Sequence, residues 1–421
     1  MTDIAWIEKA IRSARPQAIG ALMRYFRDLD SAEEAFQEAS LRALTNWPKN
    51  GPPRDTAAWL IFVGRNAGID AVRKRARTTA LPPEEVISDL EDAEGAIAER
   101  IDGSQYRDDI LRLLFICCHP DLPATQQIAL ALRIVSGLSV REIARAFLVS
   151  EAAMEQRITR AKARIGAGSA DFEPPDAIAR AERLAAVAAM LYLLFNEGYS
   201  AASTPGKARL CDEAIRLARL LLKLFPAEPE IMGLTALMVL QHARIGARFD
   251  ADGAIVLLEA QDRRLWDKDM IGEGLALIDK AMRHRRPGPY LLKAAIAALH
   301  ARAQRAEDTD WAEIALLYQG LERLEPSPVV TLNRAVAIAK CEGPAAALAL
   351  VETLGDRLDT YFHYHGLRGG LLAELGRPEE ARTAFDRAIA LAGTPAEAAH
   401  IRLHLDRLNL ARPQLEETRN D

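Results

Sequence analysis

The sequence predicts an all-α protein with more than one domain, and three observations lead to this fold class. Apolar residues make up 49% of the 421 residues, whereas aromatic residues make up only 6%. Alanine and leucine predominate, which favours helices that pack closely on small side chains. Apolar residues recur every three or four positions, and no segment alternates valine, isoleucine and threonine as a half-buried strand does. A chain of this length accommodates two or three domains.

The segment SAEEAFQEASLRAL predicts an amphipathic helix near the N-terminus. Ser31, followed three residues later by Glu34, is typical of a capping box and predicts that the helix begins there. The inward face is predicted to hold Ala35, Ala39 and Leu41 or Leu44. The outward face is predicted to be polar and acidic, with Glu33, Glu34, Gln37 and Glu38. Taken alone, this pattern favours an ordinary solvated helix face.

A second helix is predicted after the Pro- and Gly-rich break NWPKNGPPRD. Trp59 lies near its start, and its end is crowded with cations, namely Arg73, Lys74, Arg75 and Arg77. An aromatic side chain beside cationic groups suits a surface that stacks on melted single-stranded DNA and neutralises its phosphates. Trp59 is equally compatible with an ordinary core position.

Charge is distributed unevenly along the N-terminal part of the chain. Residues 54–77 contain six bases and two acids, a local charge of +4, and residues 78–102 contain eight acids and one base, a local charge of −7. Residues 133–165 contain seven bases and three acids, again +4, although the whole chain has a net charge of −5. Two basic segments therefore flank an acidic linker, and we expect the chain to bind DNA at two places but weakly on its own.

Residues 138–165 predict a helix-turn-helix motif. The apolar positions of its two helices follow helical spacing: Ile143, Ala144 and Phe147, then Met154, Ile158 and Ala161. Ser150 is a good N-cap for the second helix, with Glu151 in its first turn. Polar and cationic residues share its predicted exposed face: Gln156, Arg157, Arg160, Lys162 and Arg164. Such a face reaches base edges and phosphates in a major groove. The alternative is a helical hairpin with a solvated basic face.

These four segments, in this order and spacing, resemble bacterial RNA polymerase sigma factors of the extracytoplasmic-function group of the sigma-70 family. The resemblance covers about residues 10–167. It implies that core polymerase is bound by Glu33, Glu34, Gln37 and Leu41. It implies that the −10 element is bound by Trp59, Asn66, Asp70, Arg73, Lys74, Arg75 and Arg77. It implies that the −35 element is bound by Ser150, Glu151, Gln156, Arg157, Arg160, Lys162 and Arg164.

The domain boundaries follow from the resemblance and from the breaks in the sequence. We expect sigma region 2 at residues 1–80, the acidic linker at 81–105, and region 4 with its helix-turn-helix at 106–170. An all-helical domain resembling tetratricopeptide repeats is expected at 175–421. Small and aromatic residues of the repeat fall at Gly369, Gly376, Ala381, Phe385 and Ala388, and Gly343 precedes Gly376 by one repeat length. One subgroup of these sigma factors carries such an extension.

Polar and amphipathic residues are scattered among the apolar helices of this extension. They are Asn196, Glu197, Tyr199, Gln261, Asp262, Arg263, Trp266, Tyr290, His300, Trp311, Asn333 and Arg334. They form either a ligand groove or a set of hydrogen bonds between helices, and the second interpretation is favoured.

Other classes of function find little support in the sequence. Four scattered cysteines indicate a reducing compartment. The chain has neither a signal peptide nor an apolar run of about 20 residues, so we expect a cytoplasmic protein without a membrane partner. Cys117, Cys118 and His119 are adjacent but lack a second pair of ligands, so we expect no metal site and no cofactor. No nucleotide loop, nucleophile elbow or supported carboxylate pair is present, so we expect no enzymatic activity.

The sequence thus predicts an alternative sigma factor that binds core RNA polymerase and promoter DNA and directs transcription initiation. Its C-terminal domain is expected to regulate activity or to bind a partner, either another protein or the chain's own sigma modules. Two alternatives remain open. One is a one-component helix-turn-helix transcriptional regulator with a helical sensor domain, and the other is a scaffold protein whose basic regions are only solvated faces.

Overall fold

The computed structural model describes residues 5–76, 103–119, 121–147, 149–167, 177–200, 208–250, 255–393 and 395–417. Within these ranges the chain forms α-helices, short 3-10 turns and one isolated antiparallel bridge between Phe249 and Ile255, and it forms no β-strand. The predicted all-α class is therefore confirmed. The chain divides into two compact units, Met1–Leu217 and Ala218–Asp421.

Three helices at the start of the first unit pack against one another: α1 (Ala5–Phe26), α2 (Leu29–Asn50) and α3 (Thr56–Ala76). Ile19, Leu22, Phe36 and Leu60 are completely buried between them. Gly64 lets α3 approach α2 closely, because a Cβ atom at this position would lie 3.0 Å from the backbone oxygen of Ala35.

The start of α2 differs from the prediction. The helix begins at Leu29, and the backbone N–H of Ser31 donates to Asp28 Oδ2 at 2.8 Å. Asp28 is therefore the N-cap, and the predicted capping box of Ser31 and Glu34 is wrong. Either residue type caps helices well; the extended backbone at Asp28 determines which of them does so here.

The inward face of α2 also differs in part. Ala35 and Ala39 are buried as predicted, but Leu41 is 61% exposed and Leu44 is 40% exposed. The buried stripe continues instead through Ala43 and Trp47, which follow Ala39 at steps of four residues along the helix. Leu41 and Leu44 lie off this stripe, so neither of them faces inward.

The helix-turn-helix lies where the sequence predicts it. This part of the first unit contains four helices: α4 (Gly103–Cys117), α5 (Ala124–Ile134), α6 (Val140–Ala146) and α7 (Glu151–Ala167). The helix-turn-helix consists of α6 and α7. Helix α7 packs on α5 and α6, and α4 packs on α1 and α5. The N–H of Ala153 donates to Ser150 Oγ at 3.2 Å, which confirms the predicted cap of α7. A capping box of Ser139 and Glu142, which was not among the predicted caps, starts α6.

Two further helices follow in order, α8 (Ala177–Ser200) and α9 (Ala208–Leu224). Helix α8 packs against α4 and α5 and buries an apolar stripe that includes Val187, Leu191 and Phe195. The boundary between the two compact units lies after Leu217, whereas the C-terminal domain was expected to begin at residue 175.

The second unit is a succession of helices that pack on their neighbours in sequence. They are α10 (Pro229–His242), α11 (Lys268–Met282), α12 (Pro289–Arg302), α13 (Trp311–Leu324), α14 (Pro328–Glu342), α15 (Pro344–Glu352), α16 (Gly355–Leu358), α17 (Phe362–Glu374), α18 (Pro378–Leu391) and α19 (Pro395–Glu417). Ala381 and Ala388 are fully buried, and Gly369 lies against the ring of Phe385, as the repeat pattern predicts. The unit is a TPR-like helical array.

Candidate nucleic-acid interface

The outward face of α2 contains three of the four residues expected to bind polymerase. Glu34, Gln37 and Leu41 are exposed. Glu33 is only 4% exposed, so the prediction that it faces outward is wrong. Among these positions, Leu41 is a large apolar side chain that is 61% exposed.

A buried cluster of ion pairs surrounds Glu33. Its carboxylate lies 3.4 Å from Arg15 Nη2, 3.1 Å from Arg133 Nε and 2.8 Å from Lys162 Nζ. Cations from α1, α5 and α7 thus meet at one carboxylate of α2. A lone carboxylate is costly to bury, so Glu33 occupies this position because these three partners compensate its charge. We call these four residues the Glu33 cluster.

Arg15 joins the cluster to the backbone of α5. Its Nε donates to the carbonyl oxygen of Ile134 at 2.9 Å, and its Nη2 donates to that of Arg133 at 3.2 Å. The guanidinium also lies 4.8 Å from the ring centroid of Phe36. Burial lowers the pKa of Arg15 to about 10, although the charge of Glu33 acts in the opposite direction. Arg15 remains charged at neutral pH and connects α1 to α5.

Lys162 belongs to the same cluster and does not face freely outward from α7. Its Nζ lies 2.6 Å from Asp30 Oδ1 as well as 2.8 Å from Glu33 Oε2. Burial lowers the pKa of Lys162, but the hydrogen bonds to Asp30 and Glu33 outweigh burial and leave its pKa above the usual value. The prediction of an outward-facing Lys162 is therefore wrong, because its ammonium group is directed at α2.

The remaining predicted residues of α7 form a polar surface. Gln156 and Arg160 are exposed and Arg157 is partly exposed, while Met154 and Ile158 are buried beneath them. These three polar residues are spaced as one face of a helix requires.

The two ends of α7 carry the other predicted residues. Ser150 and Glu151 are exposed at its start, where Glu151 lies 3.6 Å from Arg141 Nε of α6. Arg164 is exposed near its end and donates to the carbonyl oxygen of Asp121 at 3.1 Å.

On α3, Trp59 is partly buried at the end of a row of three tryptophans. Its ring lies 5.2 Å from that of Trp47, edge to face, and Trp47 stacks on Trp6 at 6.1 Å. Trp59 therefore packs in this row of aromatic rings and is also partly exposed. Asn66 is partly exposed. Arg65, which was not among the predicted site residues, is exposed next to it and lies over the ring of Tyr25 at 4.6 Å.

Several predicted residues fall outside the described part of the structure. Helix α3 continues to Ala76, but the side chains of Asp70, Arg73, Lys74 and Arg75 are not described, nor is Arg77. Most of the acidic linker lies in the undescribed range 77–102.

The cysteine pair at the end of α4, Cys117 and Cys118, is buried. Burial raises the pKa of Cys118 to about 12 and that of Cys117 well above its ordinary value. In the described ranges no three His, Cys, Asp or Glu side chains are arranged to hold a metal ion. Across those same ranges, no helix combines the length and apolarity needed to cross a membrane.

Family models match three parts of the chain. Residues 10–78 match sigma-70 region 2, and residues 112–165 match sigma-70 region 4. Residues 183–282 match a family of unknown function, DUF6596. The first two matches coincide with α1–α3 and with the helices that include the helix-turn-helix.

Two proteins of similar sequence and one solved structure were also compared with the chain. A protein of Rhizobium meliloti (strain 1021) without a characterised function is 74% identical over 410 residues, which is 97% of each chain. The ECF RNA polymerase sigma factor EcfG of Rhodopseudomonas palustris (strain TIE-1) is 29% identical over 155 residues, 35% of this chain and 80% of that protein. The crystal structure of yeast Tom70 aligns with 98% of this chain and 87% of its own, but its TM-score of 0.37 and 12% identity are too low to indicate kinship. With both sigma regions matched in order and the helices of each in place, the chain belongs to the extracytoplasmic-function group of the sigma-70 family and carries a helical C-terminal extension.

Proposed function

We propose that this chain directs promoter-specific transcription initiation as an alternative sigma factor. It binds core RNA polymerase through α2, and it contacts promoter DNA through α3 and α7. It performs no chemistry of its own. The observation that carries this proposal is the polar face of α7, where Gln156, Arg157 and Arg160 lie above the buried Met154 and Ile158.

The side chains of α7 suit readout of the −35 element in a major groove. Arginine forms two hydrogen bonds with guanine, and glutamine forms two with adenine. We assign base contacts to Gln156, Arg157 and Arg160 and assign backbone phosphate contacts to Ser150, Glu151 and Arg164 near the helix ends. Because Glu151 is itself an acid, its contact is limited to its backbone N–H. Lys162 reaches DNA only if it leaves the Glu33 cluster.

For the −10 element we assign α3. Trp59 and Asn66 are partly exposed, and both suit contact with unstacked bases. Asp70, Arg73, Lys74, Arg75 and Arg77 continue the same helical sequence. The basic residues among them neutralise phosphates of the separated strand.

The polymerase contact is assigned to Glu34, Gln37 and Leu41. Glu33 is not assigned a contact with polymerase; its ion pairs hold α2 against α1, α5 and α7. Leu41→Glu should lower the affinity for core polymerase by about tenfold, since one buried apolar contact is worth about 1.4 kcal/mol or more. Leu403→Glu is a matched control because Leu403 of α19 is 58% exposed. Equal affinities of the two variants would remove Leu41 from the polymerase surface.

For the C-terminal unit we propose a regulatory role through a bound protein partner. A groove of about 390 Å³ between α14, α17, α18 and α19 offers a concave surface, lined in part by Tyr361, Phe362, His363, Phe385 and His404. His363→Ala should change promoter output but not the affinity for core polymerase. Unchanged output over the inducing conditions of the host would contradict this role.

One assay separates the candidate functions: transcription from a genomic promoter library with purified core polymerase. Sigma activity predicts starts downstream of a shared two-box motif. The double variant Arg157→Ala and Arg160→Ala should lose these starts, whereas Arg264→Ala in the second unit should keep them. A one-component regulator would bind duplex DNA without polymerase and give no such starts. A scaffold protein would neither bind duplex DNA nor give such starts.

A further inference from the structure

A basic loop joins α11 to α12 in the second unit. Residues 280–286 contain four cations, Lys280, Arg283, Arg285 and Arg286, and no acid, in a chain whose net charge is −5. All four side chains are exposed. We refer to these four residues as the basic loop.

In the described part of the structure, none of these four cations forms an ion pair. Three exposed arginines of the second unit, by contrast, are paired with acids nearby in sequence. Arg264 lies 2.8 Å from Asp262, Arg305 lies 2.7 Å from Asp308, and Arg377 lies 2.7 Å from Glu380. Unlike these three arginines, the basic loop presents its charge to solvent without a partner acid in the described residues.

The acids next to the loop are already engaged. Asp279 precedes Lys280 and lies 3.6 Å from Arg302 Nη2. The carboxylate of Glu230 packs against Gly288 and accepts hydrogen bonds from the N–H groups of Tyr290 at 3.0 Å and of Leu291 at 3.1 Å, which caps α12. Neither carboxylate neutralises the basic loop.

Helix stability accounts for only part of this charge. Lys280 and Arg283 lie at the C-terminal end of α11, where cations interact favourably with the helix dipole. Arg285 and Arg286 lie beyond the helix. Arg285 has a φ of +53°, and its N–H donates to the carbonyl oxygen of Met282 at 3.1 Å. Glycine or asparagine fits such a backbone better than arginine does. The turn itself therefore does not require a guanidinium at this position.

We propose that the basic loop binds the phosphate backbone of promoter DNA when the chain is part of the initiation complex. Guanidinium groups bind phosphate oxygens through paired hydrogen bonds, and a cluster of unpaired cations is the complement of a polyanion. The contact is sequence-independent and adds affinity to the base-specific contacts of α7. This inference rests on the proposed sigma function, which brings the chain to DNA.

The test compares two triple variants of the full-length chain. The first is Arg283→Gln, Arg285→Asn and Arg286→Gln, in which asparagine tolerates the backbone at position 285. The control is Arg264→Gln, Arg305→Gln and Arg377→Gln, which removes the same charge from exposed but paired positions. Thermal unfolding of both variants checks that they are folded. The affinity of the polymerase complex for promoter duplex is then measured over a range of KCl concentrations.

The slope of log K against log salt reports how many phosphates are neutralised, at about 0.9 per contact. We expect the slope of the loop variant to be shallower than wild type by about 2 to 3, and the slope of the control to be unchanged. Equal slopes for all three proteins would overturn the proposal. A loop variant that keeps the slope but binds core polymerase more weakly would show that the loop contacts protein, which also overturns it.

A second measurement separates this inference from the proposed function. The chain alone is titrated with a duplex of unrelated sequence at low salt, where binding does not require sigma activity. We expect wild type and control to bind more tightly than the loop variant. Equal affinity or no binding by any of them overturns the phosphate contact. By contrast, absence of promoter starts with wild-type protein contradicts the sigma function alone.

Discussion

Lys162 Nζ of α7 lies 2.8 Å from Glu33 Oε2 of α2. The sequence assigns these two residues to different partners, DNA and polymerase, yet in this structure they bind each other. The contact joins region 4 to region 2 together with Arg15 and Arg133. Glu33 therefore has a structural role that its position in the sequence does not reveal.

Glu33→Ala should destabilise the first unit by about 3–5 kcal/mol, because it leaves buried cations without their common partner. Arg15 is affected most, since only 8% of its surface is exposed. The measurement is urea unfolding of the full chain, followed by tryptophan fluorescence. Glu155→Ala, at an exposed position of α7, is the control and should change stability by less than about 0.5 kcal/mol. Similar unfolding midpoints for both variants would show that the cluster contributes little.

Asp28→Ala should cost about 1 kcal/mol, the usual value for losing an N-cap. Asp28→Asn should keep most of the stability because asparagine also caps helices. The thermal midpoint of the first unit measures both effects. If Ala and Asn behave alike, the hydrogen bond to the N–H of Ser31 is not what starts α2.

The carboxylate of Asp28 should also make the stability of the first unit depend on pH. Hydrogen bonds from Ser31 lower the pKa of Asp28 below its ordinary value. Its charge therefore stabilises the fold above the ordinary pKa of about 4, and this contribution is lost as the pH falls through the lower native pKa. Asp28→Asn should show a flatter stability profile than wild type in that acidic range. An unchanged profile would contradict the assigned role of the charged cap.

His300 should make the second unit less stable in mild acid. Burial, followed by the charges of Arg244 and Arg263, lowers the pKa of His300 to about 4. In the unfolded chain the imidazole of His300 takes up a proton near pH 6.5. Between about pH 6.5 and 4 the unfolded state therefore binds more protons than the native state, and the free energy of unfolding decreases as the pH falls. The loss is at most about 3 kcal/mol. His300→Phe keeps an aromatic ring beside Trp311 and should flatten the profile; an unaltered slope would assign the pH dependence to other groups.

Two adjacent glycines of α17 should respond in opposite directions to alanine. A Cβ atom at Gly369 would lie 2.6 Å from two ring atoms of Phe385, whereas one at Gly370 meets no neighbouring atom within 4 Å. Gly369→Ala should destabilise the second unit by about 1–3 kcal/mol through overpacking. Gly370→Ala should stabilise it by about 0.5–1 kcal/mol, the helix preference of alanine over glycine. Thermal unfolding measures both, and equal shifts would contradict the close approach of α17 and α18.

Local features were predicted well. Ser150 caps α7, and Met154, Ile158 and Ala161 are buried, because capping and helical periodicity depend on residues within about four positions. The cap of α2 was missed because Asp28 and Ser31 are both good caps, and the residue that acts depends on the backbone between α1 and α2. Arg27 in this turn has a φ of +53°, which no sequence pattern indicated.

The sequence by itself determined the all-α class, the position of the helix-turn-helix and membership of the sigma family, since each depends on short patterns in a fixed order. Only the tertiary structure decided that Glu33 is buried, because its partner Lys162 is 129 residues away. It also decided that α8 belongs to the first unit and that Lys162 faces α2. A buried charge is stabilised by whatever the fold brings beside it, and that neighbour depends on the packing of whole helices.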